Sequence, residues 1–283
     1  MATIVAITDP SDQSRLHKYL LHRFIPLWEA QGHRVCFHQG DTTPPPGDVA
    51  ILHVDQTVIP ENYIQGLDRY ARVINGAVRD IRKRSFSTQR LREGEAYAGP
   101  VICKTDLNCG GAPERRKHMD TLRGDRTFAG HCRLVMAKLE NRLLFSQQRS
   151  YRIFDSVAAV PESLWRDPSR VVEKFLPEQD ARGYYLRTWL FLGDRESCSR
   201  VRAAQAVIKG RGILERETVS VPDALREWRA HLGFDYGKFD FAIREGEVVL
   251  FDVNRTPTVP STLQEAMRDS SAHLAGGLEC FLK

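Results

Sequence analysis

No stretch of this sequence approaches the eighteen or so uncharged apolar residues that a membrane-spanning helix needs. The opening MATIVAITDP runs straight into a strand-like pattern and not into the basic and then apolar segments of a secretion signal. No membrane partner and a cytoplasmic location are therefore expected. The six cysteines, Cys36, Cys103, Cys109, Cys132, Cys198 and Cys280, contain no C-x-x-C pair. That excludes a zinc ribbon or a thioredoxin-type motif, and they read as reduced thiols. The nine histidines form no H-x-x-x-H or H-E-x-x-H pattern and are expected mostly at the surface or as hydrogen-bonded structural residues. There is no G-x-S-x-G of a serine hydrolase, no Walker A loop and no G-x-G-x-x-G. Glycine and proline, 20 and 14 residues, are too few and too scattered for a fibrous or low-complexity chain.

What is present suits a folded chain of enzyme size. The 283 residues, 42% hydrophobic and 27% charged, allow one large or two ordinary domains with a real core. Lys and Arg number 41 against 36 Asp and Glu, a surplus that lies wholly within 112–150. That segment sets nine basic residues (Arg115, Arg116, Lys117, Arg123, Arg126, Arg133, Lys138, Arg142, Arg149) against four acids. Strand-like runs at 3–8, 33–39, 49–54 and 71–75 enclose a helical spacing of Leu16, Leu20, Phe24 and Leu27 in 13–31, as in an open α/β unit. A helix over 79–91 and a strand over 99–106 are expected next. The basic segment is poorly periodic and reads as a lid or insertion with one helix near 131–144. From 171 the pattern turns to β, with strands at 171–176, 184–193 and 197–203, a helix at 222–232, a hairpin at 237–254 and a closing helix from about Ser261.

The hairpin is the most legible segment. A three-residue loop, Arg244-Glu245-Gly246 with Gly246 left-handed, would pair Ile243 with Glu247 and Asp240 with Leu250. Lys238, Asp240, Asp252 and Asn254 then share one face, and Phe239, Phe241, Ile243, Val249, Phe251 and Val253 form the apolar one. A two-residue loop would place the aspartates on opposite faces. Two carboxylates and an amide oxygen make an all-oxygen set, which suits Mg²⁺ with its remaining ligands from water and phosphates; a solvated polar face is the plain alternative.

This hairpin with the following FDVNRTP resembles the metal-binding end of the ATP-grasp superfamily, whose members carry D…(D/E)-x-N-x-x-P across two adjacent strands. The resemblance covers roughly 75–260. It implies an α/β (α+β) ATP-grasp fold behind an N-terminal open α/β domain at 1–75. A central subdomain at 76–170 would hold the glycine-rich loop and basic insertion, and a C-terminal one at 171–283 the adenine hinge and metal hairpin. By resemblance Lys104, at a strand end, contacts nucleotide phosphates under a loop containing Gly110 and Gly111. Lys83 is the candidate second phosphate lysine, in a register blurred by Arg82 and Arg84. Glu173, Lys174, Phe175 and Leu176 are similar to the adenine hinge, with backbone groups at 173–175 reading the purine edge and Asp180 at the ribose. Asp240, Asp252 and Asn254 would hold Mg²⁺, and Arg202, Arg187 and Lys238 would serve the reaction centre.

The implied activity is ATP-dependent ligation of a carboxylate and an amine through an acyl phosphate, with ADP and phosphate released. The substrates are expected to be small molecules or peptides, which Tyr63, Arg69, Arg72 and the lid arginines could recognise. Two other readings stay open: a kinase on the same scaffold, and a nucleic-acid or acidic-partner binding module using 112–150. Nucleic acid is the less favoured partner, because a binder of RNA has no need of the acid and amide cluster. A homodimer is the default for an enzyme of this size.

Overall fold

Strand β1 (Thr3–Thr8) is buried because both its faces are covered, Ile4 and Ala6 belonging to one apolar cluster and Val5 and Ile7 to another. Helix α1 (Leu21–Ala30) leads into β2 (Arg34–Gln39), and β3 (Val49–Leu52) and β4 (Arg72–Ile74) continue on the other side of β1. The result is a parallel four-stranded sheet in the order β2-β1-β3-β4, the open α/β unit that the apolar runs predict. The expected helix over 13–31 begins late. Asp9 caps a tighter 3₁₀ segment, Pro10–Lys18, by accepting the Ser11 N–H at 2.9 Å, and α1 starts only after the extended Tyr19.

The computed structural model describes residues 1–40, 42–148, 151–208, 212–260 and 263–282, with 140–148 by backbone only. These fall into two compact units, the first 1–55, 59–79 and 177–283, the second 56–58 and 80–176. The segments before and after the second unit thus make one unit, with borders after Arg79 and Leu176 and with 56–58 assigned to the second.

In the second unit the helix expected over 79–91 shrinks to one turn, α2 (Lys83–Phe86). Ion pairs from Arg82 to Asp80 and from Arg84 to Asp106 tie down its neighbours instead. Strand β5 (Val101–Thr105) carries Val101 and Cys103 inward and is followed by the basic segment, which is helical over 112–124 and 128–148. Helices α3 (Ala112–Gly124) and α4 (Phe128–Gln148) replace the single expected helix, and α4 explains the poor periodicity. Gly130, Leu134 and Ala137 lie on its covered side, while Phe128, Val135, Met136 and Leu139 are exposed. Two apolar stripes on opposite sides of a helix cancel in any periodicity test. Arg149 lies outside the described residues, as does the side chain of Arg142. Strand β6 (Arg152–Phe154), helix α5 (Glu162–Trp165) and β7 (Arg170–Lys174) complete an antiparallel sheet in the order β6-β5-β7.

The remainder belongs to the first unit. Strands β8 (Glu178–Asp180), β9 (Gly183–Leu192), β10 (Arg195–Ala203) and β11 (Ile213–Thr218) lead through α6 (Asp223–His231) to the hairpin β12 (Tyr236–Arg244) and β13 (Glu247–Asn254). They form one antiparallel sheet ordered β11-β10-β9-β12-β13, with β8 on β9. Helix α7 (Arg268–Ala275) and a 3₁₀ segment, Gly276–Phe281, follow; Ser261, where the closing helix is expected to begin, lies outside the described residues. Phe239, Phe241, Trp189 and Phe191 are buried, and edge-on ring contacts hold Phe239 against Trp189 and Phe191.

Asn75, at φ 62° just after β4, pins the start of β12 to the parallel sheet. Its Oδ1 accepts the N–H groups of Asp235 and Tyr236 and its Nδ2 donates to the Tyr236 carbonyl, all within 3.0 Å. The strand that carries Lys238 and Asp240 is thereby held from its first residue.

Candidate active site

The turn between β12 and β13 has two residues, Glu245 and Gly246 at φ 55° and 85°, and pairs Arg244 with Glu247. That departs from the three-residue loop, and it would separate the aspartates if the ladder stayed regular. It does not. A bulge at Phe251 shifts the register between Phe241 and Asp240, so that Asp240 lies opposite Asp252 and Lys238 opposite Asn254. The shared polar face expected from the sequence therefore exists, with Asp252 and not Leu250 as the partner of Asp240. Phe251 is the bulged residue and is only half-buried, and Val249 pairs with Ala242 on the side of the acids, so neither belongs to the apolar face assigned to it.

The acids are held by neighbours that only the tertiary fold supplies. Asp240 pairs with Thr188 across β9, whose hydroxyl donates to Oδ1 at 2.8 Å, and Lys238 Nζ sits 2.6 Å from Oδ2. Asn254 Oδ1 accepts the Thr256 N–H at 2.8 Å, and the Thr256 hydroxyl lies 2.8 Å from Asp55 Oδ1 at the end of β3. Thr188, Thr256 and Asp55 escape sequence reasoning, because their link to the hairpin is a pairing of distant segments. The donors here are all oxygen, two facing carboxylates and an amide, and this set fits Mg²⁺. Among the described residues no group of three or more His, Cys, Asp or Glu side chains is placed to hold a metal ion.

The arginines are placed differently from the expectation. Arg187 pairs with Phe241 on β12 and with Arg200 on β10, so Arg187, Arg200 and Arg202 lie on the sheet face opposite Asp240. Arg187 holds Glu178 through two parallel contacts of 2.8 Å, and Arg202 is paired with Glu215 at 2.5 Å. Burial pushes the Glu178 carboxyl up, but the Arg187 guanidinium, the Ile243 N–H and the Arg200 charge outweigh it and leave it below the ordinary range. Asp180 is on that opposite face too. It accepts the Arg182 N–H and the Tyr185 hydroxyl, which lower its pKa. The sheet register therefore does not bring Arg187, Arg202 or Asp180 together with the acids.

In the second unit, β5 and β7 run antiparallel with Ile102 opposite Glu173 and Lys104 opposite Val171. Lys104 and Glu173 share the face away from the apolar cluster and form a buried ion pair of 2.6 Å. Lys83 is buried as well, its Nζ 3.4 Å from the Leu107 carbonyl, whereas Arg82 and Arg84 are committed to Asp80 and Asp106. Of the three consecutive basic residues, Lys83 is the buried one. Between β5 and α3, Cys109, Gly110 and Gly111 are all left-handed, and a Cβ on Gly111 would come within 2.9 Å of Leu107. Along the hinge, the N–H groups of Lys174 and Phe175 donate to the carbonyls of Gln89 and Pro100 at 2.9 Å. Those two groups are thus spent on the protein's own backbone. Phe175 and Leu176 are half-buried, and Lys174 lies over the Tyr97 ring.

No protein-family model and no curated protein matches the chain. Among solved structures, it is similar to the ATP-grasp ligase PsnB complexed with minimal precursor, Mg and ADP. The identity is 13%, with 99% of this chain and 97% of the other covered and a TM-score of 0.57. It is also similar to a RimK domain ATP-grasp protein from Sphaerobacter thermophilus, at 13% identity, 98% and 99% coverage and a TM-score of 0.50.

Proposed function

Starting from the ATP-grasp fold of this chain, we propose that it is an ATP- and Mg²⁺-dependent ligase that joins a carboxylate to an amine through an acyl phosphate. The observation that carries this reading is Asp240 opposite Asp252, with Asn254 two residues on, on one sheet face. A bulge that restores a shared face after a two-residue turn is a device with no use in a merely solvated strand pair. Asp240, Asp252 and Asn254 would hold Mg²⁺, which when bound neutralises phosphate charge. The presence of Mg and ADP with PsnB supports the same pair here.

Lys104 and Lys83 bind phosphate oxygens as point charges, and Gly110 and Gly111 let loop N–H groups approach them closely. Lys104 exchanges its ion pair with Glu173 for the nucleotide. Phe175 and Leu176 offer apolar surface to the adenine, and its edge is read by groups of the hinge other than the N–H groups of Lys174 and Phe175. Lys238, released from Asp240, turns its ammonium to charge that develops on the transferred phosphoryl group. Arg187, Arg202 and Asp180 have no part in this reading, because they occupy the other sheet face. No protein nucleophile is needed, since the carboxylate of a small molecule or peptide attacks the γ-phosphorus and the amine then displaces phosphate.

A screen of carboxylic acids with ATP, Mg²⁺ and hydroxylamine tests the proposal. Trapping of an acyl phosphate yields a hydroxamate together with ADP and phosphate. ADP with a stable phosphoester and no hydroxamate would make the protein a kinase, and no ADP with any acid would remove the enzymatic reading.

A further inference from the structure

Asn108 stands immediately before the left-handed run of Cys109, Gly110 and Gly111 and is only 1% exposed. Its backbone N–H donates to the Thr57 hydroxyl at 2.9 Å, yet neither Oδ1 nor Nδ2 of its side chain has a hydrogen-bond partner. Buried side-chain amides are nearly always satisfied, and an apolar residue of the same size would leave this loop more stable. The amide is therefore retained at a cost to the ligand-free protein.

The surroundings favour an anion. Lys83 reaches the carbonyl of the adjacent Leu107, Lys104 lies four residues earlier at the end of β5, and the 13-residue helix α3 begins four residues later. A helix start, the ammonium of Lys83, that of Lys104 once it leaves Glu173, and a loop whose glycines admit close approach suit a group that offers only acceptor oxygens, and a side-chain amide brings two more N–H donors. We propose that Asn108 is a nucleotide-binding residue whose Nδ2 donates to a phosphate oxygen of a bound nucleoside triphosphate, an inference that rests on the nucleotide reading above. Both amide atoms are out of reach of solvent in this conformation, so the loop must part to admit the ligand. The bond to phosphate then replaces an unmade one. Stability without ligand and affinity for ligand should consequently respond to this residue in opposite directions.

The test uses the full chain, a nonhydrolysable ATP analogue and Mg²⁺, with affinity from calorimetry and thermal melting in the absence of ligand. Asn108→Leu should melt at or above the wild-type temperature and bind the analogue at least ten-fold more weakly. Asn108→Asp keeps the shape and sets a carboxylate against the phosphates, so it should weaken binding further. Wild-type affinity in either variant overturns the proposal and makes the amide a hydrated loop residue. A lower melt for Asn108→Leu makes the residue structural and overturns the proposal; if that variant fails to fold, the affinity of Asn108→Asp decides, weaker binding upholding the proposal and wild-type binding overturning it. Failure of the wild type itself to bind the analogue would end the nucleotide reading, whereas binding by the wild type and both variants alike ends this inference alone.

Discussion

On the β12–β13 hairpin the polar groups are supported by the sheet: Thr188 and Lys238 hold Asp240, and Thr256 holds Asn254. In the loop between β5 and α3 the backbone is held in three consecutive left-handed residues, and a buried amide lacks any partner. The hairpin is organised before any ligand arrives, because strand pairing fixes the side chains at little further entropic cost. The loop instead leaves a buried polar side chain unsatisfied, a cost that a bound ligand would offset.

The largest effect should come from breaking the organised side. Asp252→Ala should lower Mg²⁺-dependent turnover by about 10²–10³-fold, the scale for losing one preorganised electrostatic group. Its melting temperature should stay near wild type, since the side chain fills no apolar space. Activity and melting measured on the same preparation check both halves, and full turnover would remove the metal assignment.

Lys104→Ala should cost stability as well as nucleotide affinity, because it leaves the Glu173 carboxylate buried without its ammonium. Removing one partner of a buried pair costs about 3–5 kcal/mol. Replacing both, as Lys104→Met with Glu173→Leu, should recover most of that stability in urea unfolding but not the binding of an ATP analogue. If the single variant unfolds like wild type, the pair is not the support described here.

One residue blurs the contrast between the regions. His53, at the end of β3, is 1% exposed with neither ring nitrogen hydrogen-bonded, and it lies edge-on to Tyr19 and stacks on Tyr236. Burial, aided by the Arg255 charge and opposed by Asp55, lowers its pKa from 6.5 to about 4. As pH falls below 6.5 the unfolded chain takes up a proton that the folded one refuses, so stability drops until about pH 4, where the folded state is protonated too. At about 1.4 kcal/mol per pH unit the loss over this window is about 3 kcal/mol. Urea midpoints at pH 7, 5.5 and 4.5 should show a shallower decline for His53→Leu, and parallel declines would refute the assignment.

The smallest effect is expected at Phe251. A half-buried bulge residue should cost about 1 kcal/mol on truncation to Ala, against about 3–5 kcal/mol for Phe239→Ala in the ring cluster. Equal losses in urea unfolding would mean that Phe251 packs as a core residue.

These expectations show where reading along the chain succeeds and where it stops. The strand runs and the acid and amide cluster were legible because period-2 alternation is written in consecutive residues. The shared face of Asp240 and Asp252 was anticipated through the wrong turn, and a bulge corrected the parity. The face on which the arginines lie was not legible, because it depends on how β9 registers against β12, a pairing across some fifty residues of chain. His53 carries no motif, and its burial follows from rings contributed by distant segments. Helix α4 was hidden by its two opposed apolar stripes.

By itself, then, the sequence determined the alternation of strands and helices, the position of the glycine-rich loop and the cluster of acid and amide side chains on the hairpin. Each of these follows from local stereochemistry and spacing. Only the tertiary structure decided that Lys83 and not its neighbours is the buried lysine, that Glu173 neutralises Lys104, and that Thr188 and Thr256 support the hairpin. Those contacts join residues far apart in the chain, and their energies come from burial and register that no local pattern records.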